Sequence, residues 1–229
     1  MIYLIFLGLI PSFIWLSFFL QEDIHPEPRK MVAYVFFGGI VAAVLAVVIQ
    51  YLFEGYFDGN AINKNGFYPV MIFAALEELF KFIMVYAIIS KSKHFDEPID
   101  AMIYMVTAAS GMAAVENVSV MMGGQIMSEK VGILVFRFLG ATLLHVLSSA
   151  LVGYYWAKGI IVKRVLMWVA VGLVLGSLLH AVFNYFVITL NGGIIYSIVF
   201  LVAAAFFIFY DFEKLKTAPR KTVENDRPD

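Results

Sequence analysis

Seven apolar runs, each about as long as the roughly 20 residues that a helix needs to cross a bilayer, divide most of the chain. Hydrophobic residues make up 62% of the sequence and charged residues only 14%, whereas soluble domains are about 45–50% apolar and 25% charged. The sequence therefore predicts an integral membrane protein. The predicted spans are residues 1–20, 31–53, 67–90, 98–122, 131–157, 165–188 and 193–211.

These spans leave no room for a separate soluble domain in a chain of 229 residues. We predict an all-α fold, a polytopic membrane helix bundle of about seven transmembrane helices, over residues 1–211. The first run lacks a basic stretch and a small-residue cleavage site, so we interpret it as a retained helix and not as a signal peptide. The charged segment 212–229 contains two prolines and is predicted to be a disordered cytoplasmic tail.

The distribution of lysine and arginine between the loops predicts the orientation in the membrane, because cytoplasmic loops carry the excess of these residues. Twelve of them fall on one side and only Lys64 and Lys130 on the other. The amino terminus is therefore expected outside and the carboxyl terminus in the cytoplasm. The twelve are Arg29, Lys30, Lys91, Lys93, Lys158, Lys163, Arg164, Lys214, Lys216, Arg220, Lys221 and Arg227.

Ionisable and amide side chains occur inside four of the apolar spans. A charge at the bilayer centre costs roughly 2.5–3.5 kcal/mol on insertion scales, so such residues usually have a functional role. By helical rise, most of this set is expected at or outside the midplane of the membrane. The residues are Glu77, Glu78 and Lys81 in the third span, Glu116 and Asn117 in the fourth, Arg137 and His145 in the fifth, and His180 and Asn184 in the sixth.

A structural role is the alternative interpretation of each group. Glu77 and Lys81 are four residues apart and share a helix face, so they are a candidate self-neutralising pair. Lys81 can neutralise only one carboxylate, however, and the second glutamate then needs a proton, a metal ion, Arg137 or a histidine. Asn117 alone is as readily explained by a hydrogen bond between helices.

Carboxylates and imidazoles together suit three kinds of chemistry. A glutamate can activate water as a general base while a histidine or asparagine stabilises the oxyanion. Two histidines and a carboxylate can instead bind zinc and leave one position for water; the candidate ligands are Glu78, His145 and His180. The same groups could also relay protons in a small proton- or ion-coupled transporter.

Other intramembrane chemistries lack their sequence motifs. The chain has no cysteine, no His-Glu-x-x-His zinc motif and no rhomboid-type Gly-x-Ser-Gly. Tyr210-Asp211 matches half of a presenilin-type pair, but no Gly-x-Gly-Asp accompanies it. A catalytically silent scaffold that binds partner helices remains a further alternative to the enzyme and the transporter.

The ordered set Glu77-Glu78-x-x-Lys81, Glu116-Asn117, His145 and His180, one group per successive helix, resembles the PrsW family of bacterial intramembrane proteases. The resemblance extends to Glu27-Pro28 and to the segment His94–Glu97 with Asp100, and so covers nearly the whole chain apart from the tail. Asn184 departs from it, because this position is often acidic in PrsW proteins and is Asn in CAAX proteases. The aromatic residue expected before Glu116 is also absent.

The resemblance implies a CAAX-protease-like fold and an endopeptidase of the bacterial cell membrane. Such an enzyme makes the first cut in a membrane-anchored anti-sigma factor, on its extracytoplasmic side. Its partners would be that substrate and the lipid bilayer, with no nucleic acid. The resemblance leaves open whether zinc is the cofactor. Carried over by position, the resemblance assigns catalysis to Glu77, Glu78, His145 and His180, with Lys81, Glu116, Asn117 and Asn184 in support.

Overall fold

The computed structural model describes residues 2–60, 62–124, 126–189 and 193–216. Every regular element in these ranges is helical, which confirms the predicted all-α bundle. The long helices are α1 (Ile2–Leu20), α2 (Arg29–Gly59), α3 (Phe67–Ile89), α4 (Asp100–Met121), α5 (Met127–Ile161), α6 (Val165–Thr189) and α7 (Gly193–Lys216). Helix α5 contains a π-helical turn at Phe138–Thr142.

Six of these helices are long and apolar enough to cross a membrane. The seventh helix, α3, is long enough at 23 residues. It is not among the six apolar helices because it contains three charged residues, Glu77, Glu78 and Lys81. Burial resolves this conflict, since Glu78 and Lys81 are fully buried within the bundle. The charges of α3 thus face protein and not lipid, as an intramembrane ion pair requires.

Helix α4 is the centre of the bundle and positions the polar residues around it. Every residue from Asp100 to Ala114 is buried, and the helix packs against α1, α2, α3 and α5. Small side chains allow this crowding, as in other membrane helix interfaces. Only from Val115 onward, near its carboxyl end, does α4 become partly accessible.

Helices α2 and α4 approach each other through two glycines. A Cβ atom on Gly39 would lie 1.9 Å from the carbonyl oxygen of Ala108, and one on Gly111 would lie 2.0 Å from the carbonyl oxygen of Phe36. These obstacles are backbone atoms and cannot move aside as a side chain can. Glycine is therefore required at both positions for α2 and α4 to pack at this distance.

We expect Gly39→Ala to lower the free energy of unfolding by about 2–3 kcal/mol, because the added methyl group forces α2 away from α4. The measurement is thermal or denaturant unfolding of the purified protein in detergent. Gly55→Ala in the same helix is the matched control, since nothing lies within 4 Å of its Cβ position. A Gly39→Ala protein as stable as the control would contradict the close packing.

Helix ends differ from the predicted spans where side chains stabilise an extra turn. Helix α2 continues past residue 53 to Gly59 and α5 begins at Met127, before the predicted position 131. Lys130 lies within α5, where its Nζ donates a hydrogen bond of 2.8 Å to the carbonyl oxygen of Met121. This bond satisfies one of the last carbonyls of α4, which have no partner inside their own helix.

The tail predicted to be disordered from residue 212 is helical for its first five residues. Helix α7 reaches Lys216 because Phe212 and Leu215 are buried, and a disordered tail would expose both. Lys216 also pairs with Glu22 at 2.7 Å, which ties the end of α7 to the segment after α1. Residues 217–229 lie outside the described residues, and the prediction of disorder there stays untested.

Candidate active site

The two adjacent glutamates of α3 point to different environments, since successive helical residues are about 100° apart. Glu78 is fully buried, and its oxygens accept hydrogen bonds from four side chains. The donors are Lys81 Nζ at 2.5 Å, Ser148 Oγ at 2.8 Å, Ser149 Oγ at 2.7 Å and His180 Nδ1 at 2.9 Å. Glu78 is thus saturated by protein donors and offers little to a further ligand.

Glu77, in contrast, keeps one oxygen unpaired. Its Oε1 accepts a hydrogen bond of 2.8 Å from Gln50 Nε2, which orients the carboxylate. Its Oε2 is buried and has no hydrogen-bond partner among the described residues. This atom lies 3.5 Å from His180 Nε2 and 3.9 Å from His145 Nδ1. A buried carboxylate oxygen facing two imidazole nitrogens is a strong indication of a ligand site.

The tautomer of each histidine follows from its second nitrogen. His180 Nδ1–H donates to Glu78 Oε1 at 2.9 Å, so its Nε2 carries the lone pair. His145 Nε2–H donates to Glu116 Oε2 at 3.1 Å, so its Nδ1 carries the lone pair. Carboxylates that fix histidine ligands in this way are typical of metal sites. Both lone pairs then face Glu77 Oε2.

The geometry of this trio fits zinc. The ligand atoms of Glu77, His145 and His180 all lie within 4.8 Å of one another. Zinc–ligand bonds of 2.0–2.2 Å in a tetrahedron place neighbouring ligand atoms about 3.4 Å apart, close to the 3.5 Å and 3.9 Å observed here. The sequence predicted Glu78 as the carboxylate ligand, whereas the structure favours Glu77. The oxygens of Glu78 already accept hydrogen bonds from Lys81 and two serines.

Lys81 is the fully buried cation of the site. It pairs with Glu78, three residues before it, and not with Glu77, four residues before it. Its Nζ also lies 3.5 Å from His145 Nδ1. The prediction that Lys81 pairs with one of the two glutamates is confirmed. The partner is Glu78 and not Glu77.

A second ion pair forms the wall of the site. Arg137 Nη2 donates to Glu116 Oε2 at 2.9 Å, and its Nε donates to Asn117 Oδ1 at 2.5 Å. The amide of Asn117 in turn donates to Thr142 Oγ1 at 3.0 Å and to Ser12 Oγ at 3.4 Å. Asn117 therefore joins three helices, the interhelical role that its residue type favours, while Glu116 reaches the histidine.

The π-helical turn in α5 brings Arg137 and His145 to the same carboxylate. Residues eight positions apart in a regular α-helix are rotated by about 80° from each other. The extra residue of a π turn removes most of this rotation. Both side chains consequently contact Glu116 Oε2. Trp15 Nε1 donates a hydrogen bond of 2.8 Å to the carbonyl oxygen of Phe138, so this backbone group in the π-helical turn has a partner.

A cleft of about 280 Å³ between α2, α4 and α5 opens onto these charges. Its walls are mostly apolar, and its polar groups include the side chains of Glu77, Glu116 and Arg137. The Glu116 side chain is 34% exposed and the His180 side chain 1%, so access to the buried trio runs past Glu116. The lining residues are Ala43, Ala46, Val47, Gln50, Glu77, Met112, Val115, Glu116, Ser119, Val120 and Arg137.

Three polar contacts of the candidate site were not predicted from the sequence, and one predicted residue lies outside the cluster. Gln50, Ser148 and Ser149 hold the glutamates, and the available signal was the presence of polar side chains in apolar spans. Asn184 lies one turn beyond His180 and is partly buried. It makes no side-chain hydrogen bond within the described part of the chain, so the structure does not bring it into the cluster.

Comparison with known proteins finds a family and relatives that cover most of the chain. The sequence model of the family described as "PrsW family intramembrane metalloprotease" matches residues 27–210. The chain is similar to Protease PrsW of Bacillus subtilis, at 28% identity over 92% of this chain and 93% of that protein. It is also similar to Protease PrsW of Geobacillus kaustophilus, at 27% identity over 80% of this chain and 78% of that protein. No solved structure matches the chain.

Proposed function

The chain belongs to the PrsW family of intramembrane metalloproteases, and we propose that it hydrolyses a peptide bond with zinc held by Glu77, His145 and His180. The observation that carries this proposal is the convergence of the unpaired Glu77 Oε2 and two histidine lone pairs at one buried point. The three ligands would leave a fourth position for water, the arrangement of catalytic zinc sites. Family membership favours this activity over the transporter and the silent scaffold.

The residues around the trio have separate proposed roles. Bound zinc would supply a Lewis acid that lowers the pKa of water. Glu78 and Glu116 hold the histidines in the tautomers that this requires. Lys81 balances the charge of Glu78. Arg137 uses two of its five N–H donors on Asn117 and Glu116, so further donors are available to a substrate carbonyl or an oxyanion in the cleft.

The cleft supports a peptide substrate that reaches the site from the side of α2. Its walls carry the small side chains of Ala43 and Ala46 opposite Val115 and Met112. A volume of about 280 Å³ is enough for a few side chains and not for a folded domain. The substrate segment must therefore be unwound locally, with a small or medium apolar side chain next to the scissile bond.

We further propose that the substrate is a membrane-anchored anti-sigma factor or a similar single-span protein, cut first on its extracytoplasmic side. The loop charges support an outward amino terminus, and with it the outer position of the site. Glu77 lies ten residues after the start of α3, about 15 Å along the helix. His180 lies nine residues before the end of α6, about 14 Å from it.

The orientation leads to an expected result for reporter fusions and for the cut site. Alkaline phosphatase fused after Lys216 should be inactive, because the fusion point is expected in the cytoplasm. Mass spectrometry of the substrate fragments should place the cleaved bond in the extracytoplasmic segment next to the substrate's helix. An active phosphatase, or a cut on the cytoplasmic side, would contradict the orientation.

The zinc mechanism leads to an expected result for metal removal. Purified active protein should contain about one zinc ion per chain by elemental analysis, since the trio provides three ligands for one ion. Chelation should abolish cleavage of a reconstituted single-span substrate, and added zinc should restore it. Full activity of protein that holds no metal after chelation would instead support a glutamate-activated water without an ion.

A further inference from the structure

Gln50 is the only amide or charged side chain in the apolar run 31–53. It lies on α2, nine residues before the helix ends at Gly59. An amide inside a membrane helix usually forms a hydrogen bond to a neighbouring helix. The bond of 2.8 Å from Gln50 Nε2 to Glu77 Oε1 on α3 is of this kind. It accounts for the nitrogen of the amide and leaves the oxygen unexplained.

The orientation of the Gln50 amide follows from its partner. An ionised carboxylate accepts hydrogen bonds and cannot donate them, so the amide nitrogen and not the oxygen must face Glu77. In the described part of the chain, Glu77 is the one hydrogen-bond partner of the Gln50 side chain. The lone pairs of Gln50 Oε1 are therefore left for a ligand.

The position of Gln50 brings this oxygen to the cleft. The residue is half-buried and lines the cleft that opens onto the candidate active site. The charged side chains beside it have other partners or the opposite polarity. Glu116 accepts hydrogen bonds from Arg137 and His145, Glu77 faces the proposed zinc position, and Arg137 has only donors. Gln50 Oε1 is thus a neutral acceptor next to the trio.

A peptide substrate needs such an acceptor. A segment that is unwound for cleavage exposes backbone N–H and C=O groups that had partners in its own helix. Lipid offers no replacement, so the cleft must supply one. Arg137 has N–H donors available for a carbonyl, and Gln50 Oε1 can accept from an N–H. The two side chains together match both polar groups of one peptide unit.

We propose that Gln50 binds the substrate backbone and positions Glu77 at the same time. Its Nε2–H holds the carboxylate with Oε2 toward the two histidines, and its Oε1 accepts a backbone N–H beside the scissile bond. This inference rests on the proposed peptidase function. An amide that served only to join α2 to α3 would need the first of these bonds and not the second.

The positioning role is tested by zinc binding, without any measurement of activity. Gln50→Met keeps the length of the side chain and removes the amide. Full-length protein in detergent is freed of metal and titrated with zinc against a chromogenic chelator. We expect Gln50→Met to bind zinc about 10–100-fold more weakly than the wild type, the usual effect of losing a hydrogen bond to a metal ligand. Gln21→Met, the same change at an exposed position after α1, should bind zinc as the wild type does.

The substrate-binding role is tested by a double-mutant cycle at saturating zinc. The probe is a synthetic single-span peptide that the wild-type protein cleaves. In each variant of this peptide, an ester replaces one peptide bond next to the scissile one and so removes a single N–H. We expect one ester position to raise the KM of the wild type by about 3–10-fold. The same ester should leave the KM of Gln50→Met unchanged, because the acceptor is already absent.

The outcomes separate this inference from the function on which it rests. Equal zinc affinity of Gln50→Met and wild type would overturn the positioning role. Ester effects of the same size in both proteins at every position would overturn the substrate-binding role. A wild-type protein that binds zinc but cleaves no single-span peptide would overturn the proposed function, and the binding of substrate by Gln50 with it.

Discussion

Replacing Glu77 by glutamine is expected to reduce peptide-bond cleavage by about 1,000-fold while the protein still folds. The amide oxygen can still accept the hydrogen bond from Gln50. The amide nitrogen would take the place of Oε2 and donate toward the lone pairs of His145 and His180. The variant would therefore keep the packing of the site but lose its anionic ligand and the free histidine nitrogens.

The measurement is cleavage of a single-span substrate in liposomes, compared with zinc content and unfolding temperature of the same preparations. Glu54→Gln is the matched control, since Glu54 is exposed on α2 and outside the site. It should cleave and bind zinc as the wild type does. Wild-type cleavage by Glu77→Gln would remove Glu77 from the mechanism, even if the protein remained stable.

Replacing the neighbouring Glu78 by glutamine is expected to have a different main effect, a loss of about 3–5 kcal/mol in the free energy of unfolding. Lys81 is 0% exposed and takes its counter-charge from Glu78 at 2.5 Å. Glutamine would leave this ammonium group buried without a counter-charge. Glutamine has one carbonyl oxygen in place of the two carboxylate oxygens, so at least one of the donors Ser148, Ser149 and His180 would also lose its acceptor.

Unfolding in detergent, followed by circular dichroism, measures this effect. The double variant Glu78→Gln with Lys81→Met should recover much of the lost stability, because it removes the unpaired charge along with its partner. Asp58→Asn removes an exposed pair with Lys64 and should cost less than about 1 kcal/mol. A Glu78→Gln protein as stable as Asp58→Asn would show that Lys81 is neutralised in another way.

The sequence allowed the helices to be predicted because their signal is local. An apolar run of about 20 residues can satisfy its backbone in lipid only as a helix, and each of the seven predicted runs corresponds to a long helix. The helix ends were less predictable. Phe212 and Leu215 extend α7 because other helices bury them, and this burial is not encoded in the segment itself.

The polar residues of the site were also predictable, since an ionisable group in an apolar span needs a partner. The sequence could not identify that partner. Lys81 is within one turn of both glutamates, and local spacing permits either pair. Lys81 pairs with Glu78 because Ser148, Ser149 and His180 hold that carboxylate in place. These three residues lie 70 to 102 residues further along the chain.

The sequence by itself determined that this chain is a helical membrane protein with carboxylates and histidines in its interior. Only the tertiary structure decided that Glu77 faces the two histidines and that Glu78 serves the buried lysine. The physical reason is that adjacent residues on a helix point about 100° apart. The helices packed against each face of α3 therefore decide which glutamate faces the histidine lone pairs and which pairs with the lysine ammonium group.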